Sequence, residues 1–399
     1  MQKEINIIIK VGYEKEYADG YPLITKESIL DTSAIKEEGS VLNLYDAKKK
    51  FLLKAYYGNQ NKGFGWALTT NKDELIDKEF FKRKLQSAIK YRKEFYDAKQ
   101  TTAFRVFNGE GDGVGGLTID FFDGYYLFTW YSLGIYEFRD DILNAFKESV
   151  TYKGVYQKKR FDAKGKYLDA KDDFLFGDKA PQPLVVQENG VNFAIYLDDG
   201  AMVGVFLDQR EVRKTLRDNY TKGKTFLNTF SYTGAFSIFA ALGGATKTTS
   251  VDLAKRSLAK TTEHFRINEI DLKMQDIIVE DVFNYFKYAV RKKLLFDVVV
   301  LDPPSFARSK KHTFSASKDY VKLLKEAIEI TSKGGTIVAS TNASNFGMMK
   351  FREFIKKAFR ELNGRFEVLE RYSLPKDFKV NPKFKEGDYL KVVFIKKVS

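Results

Sequence analysis

The chain contains no cysteine and only two histidines, His264 and His312, in 399 residues. Without cysteine, the protein has no disulfide bonds, no thiolate metal ligands and no thiolate nucleophile. Two histidines are too few for a metal site built on imidazole ligands. The sequence therefore predicts chemistry that uses neither a thiolate nor a bound metal ion.

Long apolar runs are missing as well. No uninterrupted apolar stretch approaches the roughly 18 residues that suggest a membrane span. The first residues, MQKEINIIIK, lack the long apolar core of a secretory signal. We therefore expect a cytoplasmic protein with no membrane partner.

Acidic residues are in the minority. The chain has 67 Lys and Arg against 53 Asp and Glu, which gives a formal net charge of +14. This excess favours a polyanionic partner, because basic side chains that neutralise phosphates release bound counterions. A solvated lysine-rich surface explains the charge equally well. Charge alone therefore does not establish nucleic-acid binding.

The length of the chain and the order of its patterns predict three domains. Residues 1–72 contain short strand-like segments separated by Gly, Asp and Asn, which is typical of a small β-barrel. Residues 73–190 begin with an amphipathic helix, for which Asp73 is the expected N-cap, and continue as an α+β domain. Residues 191–399 alternate strands with helices, and this alternation predicts an α/β fold with a mostly parallel sheet. Among the predicted elements are helices at 235–242 and 318–333 and a strand at 335–341.

The first strand–helix turn of the α/β segment is a candidate cofactor site. It reads NTFSYTGAFS, residues 228–237. The turn lacks the G-x-G-x-x-G pattern and the lysine of phosphate-binding loops, so that a nucleotide presenting no phosphate to it fits better. Asp252 ends the second strand 18 residues after Gly234, close to the roughly 20 residues at which an acidic side chain accepts ribose hydroxyls. This spacing suits an adenosine.

Two further carboxylates follow the same pattern. Asp281 ends the third predicted strand, where it can meet the exocyclic amine of adenine, and Asp302 ends the fourth in VVVLDPPSF. Each carboxylate alone is explained equally well as a helix cap or a turn former. Polar residues at the ends of four consecutive strands favour a binding site at this edge of the sheet.

Several longer segments carry a family resemblance. They are FLNTFSYTGAFS, SVDLAKRSL, VEDVF and LDPPSFARSKK, together with GVFLDQREVR at 204–213, NGEGDGVGGLTID at 108–120 and EGDYLK at 386–391. These segments resemble the class I S-adenosylmethionine-dependent methyltransferases, specifically the bacterial 23S rRNA large-subunit methyltransferases with an N-terminal PUA domain. The resemblance covers nearly the whole chain. It implies a PUA-like RNA-binding domain, a central α+β domain of EEHEE type and a Rossmann-like methyltransferase domain with a mostly parallel seven-stranded sheet.

The resemblance also implies S-adenosylmethionine as the cofactor and 23S rRNA, or a large-subunit assembly intermediate, as the partner. It leaves a homodimer open. The family usually has Asp where this chain has Asn228, which keeps hydrogen bonding to the methionine end of the cofactor without the charge. In the family, the residues matching Gln209 and Arg213 help to hold the cofactor or its carboxylate. The expected cofactor-binding residues are Gln209, Arg213, Asn228, Phe230, Tyr232, Thr233, Gly234, Asp252, Leu253, Asp281, Val282 and Asp302.

The missing cysteine bears on the atom that is methylated. Methylation of cytosine C5 requires a thiolate to add to the ring first, and cytosine-methylating members of the family carry that cysteine after the fifth strand. This chain has Thr341 there, so we expect no 5-methylcytosine product. The segment STN, residues 340–342, resembles the Ser-Asn-Asn of the guanine-N7 branch and favours guanine N7, with Asn342 as a candidate base contact. An ordinary polar strand end is the alternative for this segment.

The expected catalytic residues are Asp302, Pro303, Pro304, Phe306 and Asn342. The two prolines fix the backbone and remove two donors, which leaves a rigid, exposed loop whose carbonyls can accept hydrogen bonds from a base. Phe306 stacks on a flipped base in this interpretation, and a core position is its alternative. Ser305 separates the prolines from the aromatic residue, unlike the D/N-P-P-F/Y motif of amine methylases, so adenine N6 is less favoured. Contacts to phosphates are expected from Arg308, Lys310 and Lys311, for which a solvated basic loop is the alternative.

Two other function classes stay open. An RNA-binding ribosome-assembly factor would keep the fold without catalysis, and the acidic positions 252, 281 and 302 argue against it. Absence of cofactor binding would support it. A small-molecule methyltransferase would need neither two further domains in front nor the lysine excess.

Overall fold

The computed structural model describes residues 4–60, 63–161, 173–200, 202–308 and 313–399. Lys310, Lys311 and His312, together with the side chain of Arg308, lie outside the described residues. The chain forms two compact units. The first unit contains Met1–Val186, Ile195–Val203 and Lys376–Gly387, and the second contains Gln187–Ala194, Gly204–Pro375 and Asp388–Ser399. The division into three domains at residues 72 and 190 stays a prediction.

The N-terminal part of the first unit is a small sheet with one short helix, formed by β1 (Glu4–Ile8), α1 (Glu14–Ala18), β2 (Leu23–Ile24), β3 (Val41–Tyr45), β4 (Phe51–Tyr57) and β5 (Gly65–Thr69). Among the described residues the strand order is β1-β3-β4-β5-β2, with β1 parallel to β3 and the other pairs antiparallel. Ile5 and Ile7 of β1 are buried while their neighbours are more exposed, as expected for a strand with one face on a core. The hydroxyl of Tyr17 on α1 lies in the same core and donates a hydrogen bond of 2.7 Å to Ser28 Oγ.

The predicted linker helix consists of α2 (Lys78–Tyr91) and α3 (Lys93–Tyr96). Its N-cap is Asp77, whose carboxylate accepts a hydrogen bond of 2.9 Å from the backbone N–H of Phe80. Asp73 lies in the preceding turn, where its own N–H donates to Asn71 Oδ1. The prediction of Asp73 as N-cap is therefore wrong. Two carboxylates four residues apart both suit a helix start, and the folded turn decides between them.

The central part of the first unit is a second sheet with two helices, formed by β6 (Ala103–Asn108), β7 (Leu117–Phe122), β8 (Tyr125–Trp130), α4 (Leu133–Tyr136), α5 (Arg139–Lys147), β9 (Gly154–Lys159) and β10 (Phe174–Gly177). Within the described residues its order is β10-β9-β8-β7-β6, with β8 in the middle. Every side chain of β8 is buried. Aromatic rings fill the core here: the Phe128 centroid lies 5.6 Å from that of Trp130 and 5.0 Å from that of Phe146.

Residues 376–387 belong to the first unit, although the segments on both sides of them belong to the second. Arg92 is fully buried and holds this segment, because its Nε donates to the carbonyl of Asp377 at 2.8 Å. The two Nη atoms of Arg92 bind the carboxylate of Asp112 at 3.1 and 2.7 Å. The buried arginine thus has a carboxylate partner for its charge and two backbone acceptors, the carbonyls of Asp377 and Ala88.

Residues 376–387 pack against the glycine-rich segment at 108–120. Asn108 Nδ2 donates to the carbonyl of Lys379 at 2.9 Å. A Cβ atom at Gly111 would lie 1.8 Å from the same carbonyl oxygen. A glycine is required here because the neighbouring backbone approaches closer than any side chain permits.

The second unit begins with a hairpin and continues as an α/β sheet. The hairpin is β11 (Leu184–Glu188) and β12 (Val191–Ile195), of which β11 starts in the first unit. The following elements are α6 (Arg210–Asn219), β13 (Thr225–Thr229), α7 (Ala235–Leu242), β14 (Lys247–Asp252), α8 (Arg256–Ile267), β15 (Gln275–Val279), α9 (Val282–Arg291), β16 (Phe296–Leu301), β17 (Phe306–Arg308), β18 (Thr313–Ser315), α10 (Ala316–Glu329), β19 (Thr331–Thr341), α11 (Met348–Glu361), β20 (Phe366–Tyr372) and β21 (Lys391–Lys397). No helix among the described residues is long and apolar enough to cross a membrane.

The main sheet of the second unit has the order β15-β14-β13-β16-β19-β21-β20 in the described residues. β21 is antiparallel to both of its neighbours, and the other pairs are parallel. The side chains of β16 alternate between two apolar cores: Val299 and Leu301 face one, and Val298 and Val300 face the other. A strand buried on both faces explains the continuous apolar run in the sequence. This mostly parallel sheet confirms the predicted Rossmann-like α/β fold.

Element bounds differ from the prediction in one place that matters for the site. The predicted helix at 318–333 is α10, which ends at Glu329 because β19 begins at Thr331. The strand predicted at 335–341 therefore begins earlier, at Thr331, and it ends at Thr341 as predicted. The helix predicted at 235–242 has those bounds as α7.

We expect Gly111→Ala to lower the free energy of unfolding of the first unit by about 3 kcal/mol or more, because the new Cβ meets a backbone oxygen that cannot move aside. Denaturant titration followed by fluorescence measures this loss. The matched control is Gly347→Ala, since Gly347 has φ −93° and nothing within 4 Å of its Cβ position. Equal stability of the two variants would contradict the close approach at Gly111.

Candidate active site

The carboxyl ends of β13, β16 and β19 lie side by side at one edge of the second unit's sheet. The parallel register pairs Thr229 with Leu301, and Leu301 with Ala339. Asp302 and Ser340 directly follow the second of these pairs, so that they leave their strands at the same level. The winding of the chain reverses between β13 and β16, and open α/β sheets bind ligands at such a switch point.

The turn after β13 has an uncommon backbone conformation. Phe230, Tyr232 and Gly234 all have positive φ, at 54°, 52° and 78°. For a residue other than glycine this conformation costs roughly 1–2 kcal/mol. The backbone N–H of Tyr232 donates to Asp252 Oδ2 at 2.8 Å, which holds the turn against the end of β14. Strain of this kind is concentrated at ligand-binding sites.

Gly234 is required by its surroundings as well as by its φ. A Cβ atom at this position would lie 2.4 Å from Thr261 Cγ2 on α8. The adjacent Thr233 is buried, and its hydroxyl donates a hydrogen bond of 2.7 Å to the carbonyl of Gly204. The turn is therefore packed from two sides and has a single arrangement.

Asp252 and Asp281 both accept hydrogen bonds from backbone N–H groups. The second oxygen of Asp252, Oδ1, accepts from Ala254 at 2.8 Å. Asp281 follows β15 and is the N-cap of α9, where Oδ1 accepts from Phe283 at 2.9 Å and from the next N–H at 3.3 Å. Asp281 is therefore a helix cap, which was the alternative interpretation of this residue. Asp252 instead connects the turn after β13 with the loop after β14. Each carboxylate oxygen can accept a second hydrogen bond.

The apolar residues predicted around the cofactor differ in exposure. Phe230 lies with its ring centroid 6.4 Å from those of Phe283 and Phe314. Val282 is buried in the core below, so that its side chain is a packing residue. Leu253 has 56% of its surface exposed and is free to contact a ligand.

Asp302 lies at the centre of a buried hydrogen-bond network. Gln209 Nε2 donates to Asp302 Oδ1 at 2.9 Å and to Ser340 Oγ at 2.8 Å. Gln209 is 3% exposed, and in the part of the chain that the structure describes its Oε1 has no hydrogen-bond partner. Burial raises the pKa of Asp302 to about 6, although the hydrogen bonds from Ser340 and Gln209 lower it. A carboxyl group that titrates this close to neutral pH is typical of a catalytic site.

Arg213 and Asn228 have protein partners of their own. The Nε and Nη2 atoms of Arg213 each lie 2.7 Å from a carboxylate oxygen of the buried Glu188. Asn228 is buried, and its Nδ2 donates to Ser237 Oγ on α7 at 3.1 Å. The charge of Arg213 also lowers the pKa of Asp302. Direct cofactor contacts of Arg213 and Asn228 stay a prediction.

The loop after β19 carries the residues expected to face the base. Thr341, which the sequence resemblance places where cytosine-methylating members have a cysteine, is fully buried, and its Oγ1 accepts a hydrogen bond of 3.2 Å from the N–H of Ala343. Asn342 is exposed, and its Oδ1 accepts a hydrogen bond of 2.6 Å from Ser305 Oγ. This bond joins the loops after β16 and β19.

The two prolines and the aromatic residue after Asp302 differ in their surroundings. Pro303 is buried and Pro304 is exposed, so the prediction of an exposed loop is wrong for Pro303. Phe306 is 63% exposed at the start of β17, which excludes the core alternative for this ring. A side chain this apolar and this exposed is available for stacking.

The roles of Tyr320, Tyr389 and the Ser340 side chain were not predicted from the sequence. Tyr320 on α10 donates from its hydroxyl to the Ser340 carbonyl at 2.6 Å. Tyr389 donates to Asp208 Oδ2 at 2.9 Å, and the charge of Asp208 raises the pKa of Asp302. Asp208 and Tyr389 lie in the segments GVFLDQREVR and EGDYLK, so the family motifs marked both residues without indicating that they pair.

The donors and acceptors of the site suit an adenosine with an amino-acid tail. The carboxylate of Asp252 can accept hydroxyl donors, and Gln209 Oε1 is a buried acceptor that has no donor among the described residues. The turn at Phe230–Gly234 offers no phosphate-binding glycine pattern. No group of three or more His, Asp or Glu side chains that could hold a metal ion occurs in the described ranges.

We expect Asp302→Asn to raise the free energy of unfolding at pH 7.5. The folded protein holds the Asp302 proton up to about pH 6, whereas the unfolded chain releases it near pH 3.9. This group therefore lowers stability as the pH rises from about 4 to about 6, and the loss remains above pH 6. The variant should gain about 1–3 kcal/mol at pH 7.5 and nothing at pH 4.

Thermal or denaturant unfolding at the two pH values measures this gain. Asp218→Asn is the control, because Asp218 lies on the surface beside Arg217 and should change stability by less than about 1 kcal/mol at either pH. A gain for Asp302→Asn that is equal at both pH values would exclude a raised pKa.

The chain is similar to known proteins over nearly its whole length. The chain is 55% identical over 393 residues to "Putative ribosomal RNA large subunit methyltransferase YwbD" of Bacillus subtilis, covering 98% of this chain and 99% of that protein. It is 27% identical over 391 residues to "Ribosomal RNA large subunit methyltransferase I" of Pseudoalteromonas translucida, covering 98% of each chain. Among solved structures, it matches "SMU.776, a putative methyltransferase complexed with SAH" with a TM-score of 0.90 and 41% identity, over 99% of this chain and 100% of that one.

Family profiles match both parts of the chain. Residues 7–70 match the PUA-like domain. Residues 107–389 match the S-adenosylmethionine-dependent methyltransferases. The resemblance inferred from the sequence motifs is confirmed, and with it the cofactor. The chain belongs to the family of S-adenosylmethionine-dependent methyltransferases and carries a PUA-like domain at its N-terminal end.

Proposed function

We propose that this protein methylates a purine nitrogen of 23S rRNA, with N7 of guanine as the favoured atom. The observation that carries the choice of atom is the environment of Thr341. Its side chain is fully buried and its hydroxyl is engaged by a backbone N–H, at the position where a C5-methylating enzyme of the family has its cysteine. With no cysteine in the chain, no thiolate is present to add to C6 of a cytosine, and Ser and Thr hydroxyls are poor substitutes.

The choice of rRNA rests on the relatives and on charge. Two relatives that align over 98% of this chain are named as large-subunit rRNA methyltransferases. The net charge of +14 suits a polyanionic substrate, and the PUA-like match at residues 7–70 supports RNA binding. These features together disfavour a small metabolite as the methyl acceptor.

The cofactor contacts follow from the donors and acceptors of the site. When bound, S-adenosylmethionine supplies an electrophilic methyl group. Asp252 holds the ribose hydroxyls, Asp281 receives the adenine amine through the oxygen that does not cap α9, and Leu253 covers the adenosine. The turn at Phe230–Gly234 fixes the position of Asp252 through the N–H of Tyr232. Of the other expected cofactor contacts, Val282 packs in the core, while Gln209, Arg213, Asn228, Phe230 and Thr233 are proposed to contact the cofactor directly.

Asp302, Phe306 and Asn342 hold the base. An ionised Asp302 accepts hydrogen bonds from the N–H groups of a guanine, and Asn342 supplies an amide on the neighbouring loop. The exposed ring of Phe306 stacks on the flipped base. N7 needs no proton removed before it attacks, and the carboxylate in its partly dry site stabilises the positive charge that the guanine ring gains.

An RNA-binding assembly factor without catalysis is the second candidate. It would need neither a strained turn after β13 nor a buried carboxyl group whose pKa is about 6. Both features lower stability and are kept at the expected site of chemistry. Binding of S-adenosylmethionine by the purified protein separates the two candidates.

Deletion of the gene should remove one 7-methylguanine from 23S rRNA. Mass spectrometry of nucleoside digests, followed by fragment mapping, measures the loss and its position. Complementation with the wild-type gene should restore the methyl group, and complementation with Asp302→Ala should not. Loss of 5-methylcytosine instead would overturn the assignment of a purine nitrogen.

We expect Gly234→Ala to weaken binding of S-adenosylhomocysteine by a factor of about 10 or more, because the new Cβ clashes with Thr261 and displaces the turn that orients Asp252. Isothermal titration calorimetry measures the dissociation constant. Gly223→Ala is the matched control, since Gly223 also has positive φ, 71°, but has nothing within 4 Å of its Cβ position. Equal weakening in both variants would mean that the turn does not shape the cofactor site.

A further inference from the structure

Helix α5 and the edge of the central sheet carry basic side chains over aromatic rings. In the first unit, Lys159 Nζ lies 4.5 Å from the centroid of the Tyr136 ring, and Arg139 Cζ lies 4.9 Å from the same centroid. At the other end of α5, Lys147 Nζ lies 4.3 Å from the centroid of the Phe176 ring. None of these five residues is buried. We call this group the basic–aromatic strip.

The two ends of the strip lie on one face of the central sheet. Val155 and Lys159 of β9 point to the same face, because the side chains of a strand alternate. Phe176 of the edge strand β10 is the register partner of Val155, so its ring lies on that face as well. The Phe176 end and the Lys159 end are therefore separated along β9 by four residues.

Helix α5 runs along the same face. The ring of Phe146 on α5 lies 5.0 Å from that of Phe128 on β8, and Phe128 shares its face with Trp130, the register partner of Lys159. From its first residue to its last the helix rises about 12 Å. Four residues of β9 cover about 13 Å. The two lengths agree, so the basic groups line a strip of about this length beside α5.

The charges of the two lysines in the strip are not neutralised by the protein. Lys147 and Lys159 form no ion pair with a carboxylate in the ranges that the structure describes. Glu148, which follows Lys147 directly, instead binds two lysines of α2 at 2.8 and 2.7 Å. Arg139 has only a long contact of 3.8 Å to Asp140, whose side chain is 83% exposed. The strip therefore presents positive charge to an incoming polyanion.

The aromatic rings prepare these cations for binding. A lysine stem that already lies over a ring loses less rotamer freedom when its ammonium group meets a phosphate. The planar guanidinium of Arg139 can also stack on a base, whatever the identity of that base. Phosphate contacts and stacking without base-edge readout are typical of binding to single-stranded nucleic acid.

We propose that the basic–aromatic strip binds single-stranded RNA as a contact surface of the central domain, separate from the catalytic edge of the second unit. Lys147 and Lys159 each neutralise one phosphate, and Arg139 stacks on a base. Binding at the strip is independent of base sequence. The inference rests on the proposed function, because it takes RNA as the substrate, and it places an RNA contact outside residues 7–70, which match the PUA-like domain.

The phosphate contacts are tested by the salt dependence of RNA binding. Fluorescence anisotropy with a labelled oligouridine of about 20 nucleotides measures the association constant of the full-length protein at several salt concentrations. Lys147→Met and Lys159→Met should each reduce the slope of log K against log[salt] by about 0.7, and the double variant by about 1.4. At 0.1 M salt the double variant should bind about 10-fold more weakly or worse. An unchanged slope in the double variant would overturn the proposal.

Lys153→Met is the matched control for the loss of one positive charge. Lys153 also lies over a ring, 5.8 Å from the Tyr125 centroid, but its ammonium group is paired with Asp123 at 3.1 Å. Its substitution should leave the slope within about 0.2 of the wild-type value, because an ion-paired lysine releases few counterions from RNA. A loss equal to that of Lys147→Met would show an effect of net charge alone and overturn the strip as a surface.

Arg139→Lys tests the stacking contact. This variant keeps the charge and loses the planar group, so the salt slope should stay constant while the affinity for oligouridine falls by about threefold or more. Unchanged affinity would remove Arg139 from the contact with a base. Displacement of the RNA by polyglutamate as effectively as by unlabelled oligouridine would assign the strip to an acidic protein and overturn RNA as its partner.

Methylation of deproteinised 23S rRNA separates this proposal from the proposed function. In the Lys147→Met, Lys159→Met double variant the KM for rRNA should rise by about 10-fold, while kcat and the affinity for S-adenosylhomocysteine stay within about twofold of wild type. Retained cofactor affinity also shows that the variant is folded. A wild-type protein that binds oligouridine through the strip but methylates no rRNA would refute the proposed function alone. Methylation with the same KM in wild type and double variant would refute the strip alone.

Discussion

The parallel register between β13, β16 and β19 is the constraint on which the site depends. Leu301 lies beside Ala339, and the next residues, Asp302 and Ser340, therefore leave the sheet together, within reach of Gln209. A slip of one residue would turn alternate side chains to the opposite face and separate the carboxyl group from its donors. The two apolar cores that pack on the faces of β16 hold this register. The chemistry at the strand ends is thus positioned by aliphatic packing several residues away.

The site retains arrangements that stability alone would not favour. Phe230 and Tyr232 have left-handed backbone conformations, and desolvation raises the pKa of the partly buried Asp302 to about 6. The buried Oε1 of Gln209, which has no hydrogen-bond partner in the part of the chain that the structure describes, adds a third cost. These costs fall in one place, on the same edge of the sheet, and they are offset by the large cores on either side. Features that lower stability are expected at a functional site, because function rather than stability determines the residues there.

Much of the fold was predictable from local patterns. Alternating strand and helix segments predicted the α/β sheet, and the bounds of α7 were predicted correctly because Gly234 and Gly243 flank an apolar stretch. The spacing of Asp252 from Gly234 predicted a ribose contact, which stays a prediction, whereas the hydrogen bond from the N–H of Tyr232 to Asp252 was not predicted. These sequence patterns span fewer than about 20 residues. Over such a range, residue type and spacing alone predict which elements form.

Long-range pairing was not predictable in the same way. The hydrogen bonds from Arg213 to Glu188 join residues in different elements. The sequence does not show that the guanidinium group of Arg213 is paired with this carboxylate. Asp281 and Asp77 act as helix caps, a role that the sequence allows for any Asp near a helix start. From the sequence, Ser340 is only a polar residue at the end of a strand. Its hydrogen bond with Gln209, which is 131 residues away, becomes visible only in the folded structure.

The path of residues 376–387 has a consequence for dissecting the enzyme. Because this segment packs in the first unit while the chain on both sides of it belongs to the second, no single cut yields two pieces that each keep all their packing partners. A fragment beginning at residue 204 would present Phe378 and Phe384 to water without the core that receives them. The complementary piece would lack the Asp377 carbonyl that accepts from Nε of the buried Arg92. The two units are therefore joined by sequence interleaving as well as by linkers, and they are expected to evolve, express and unfold as one molecule rather than as exchangeable modules.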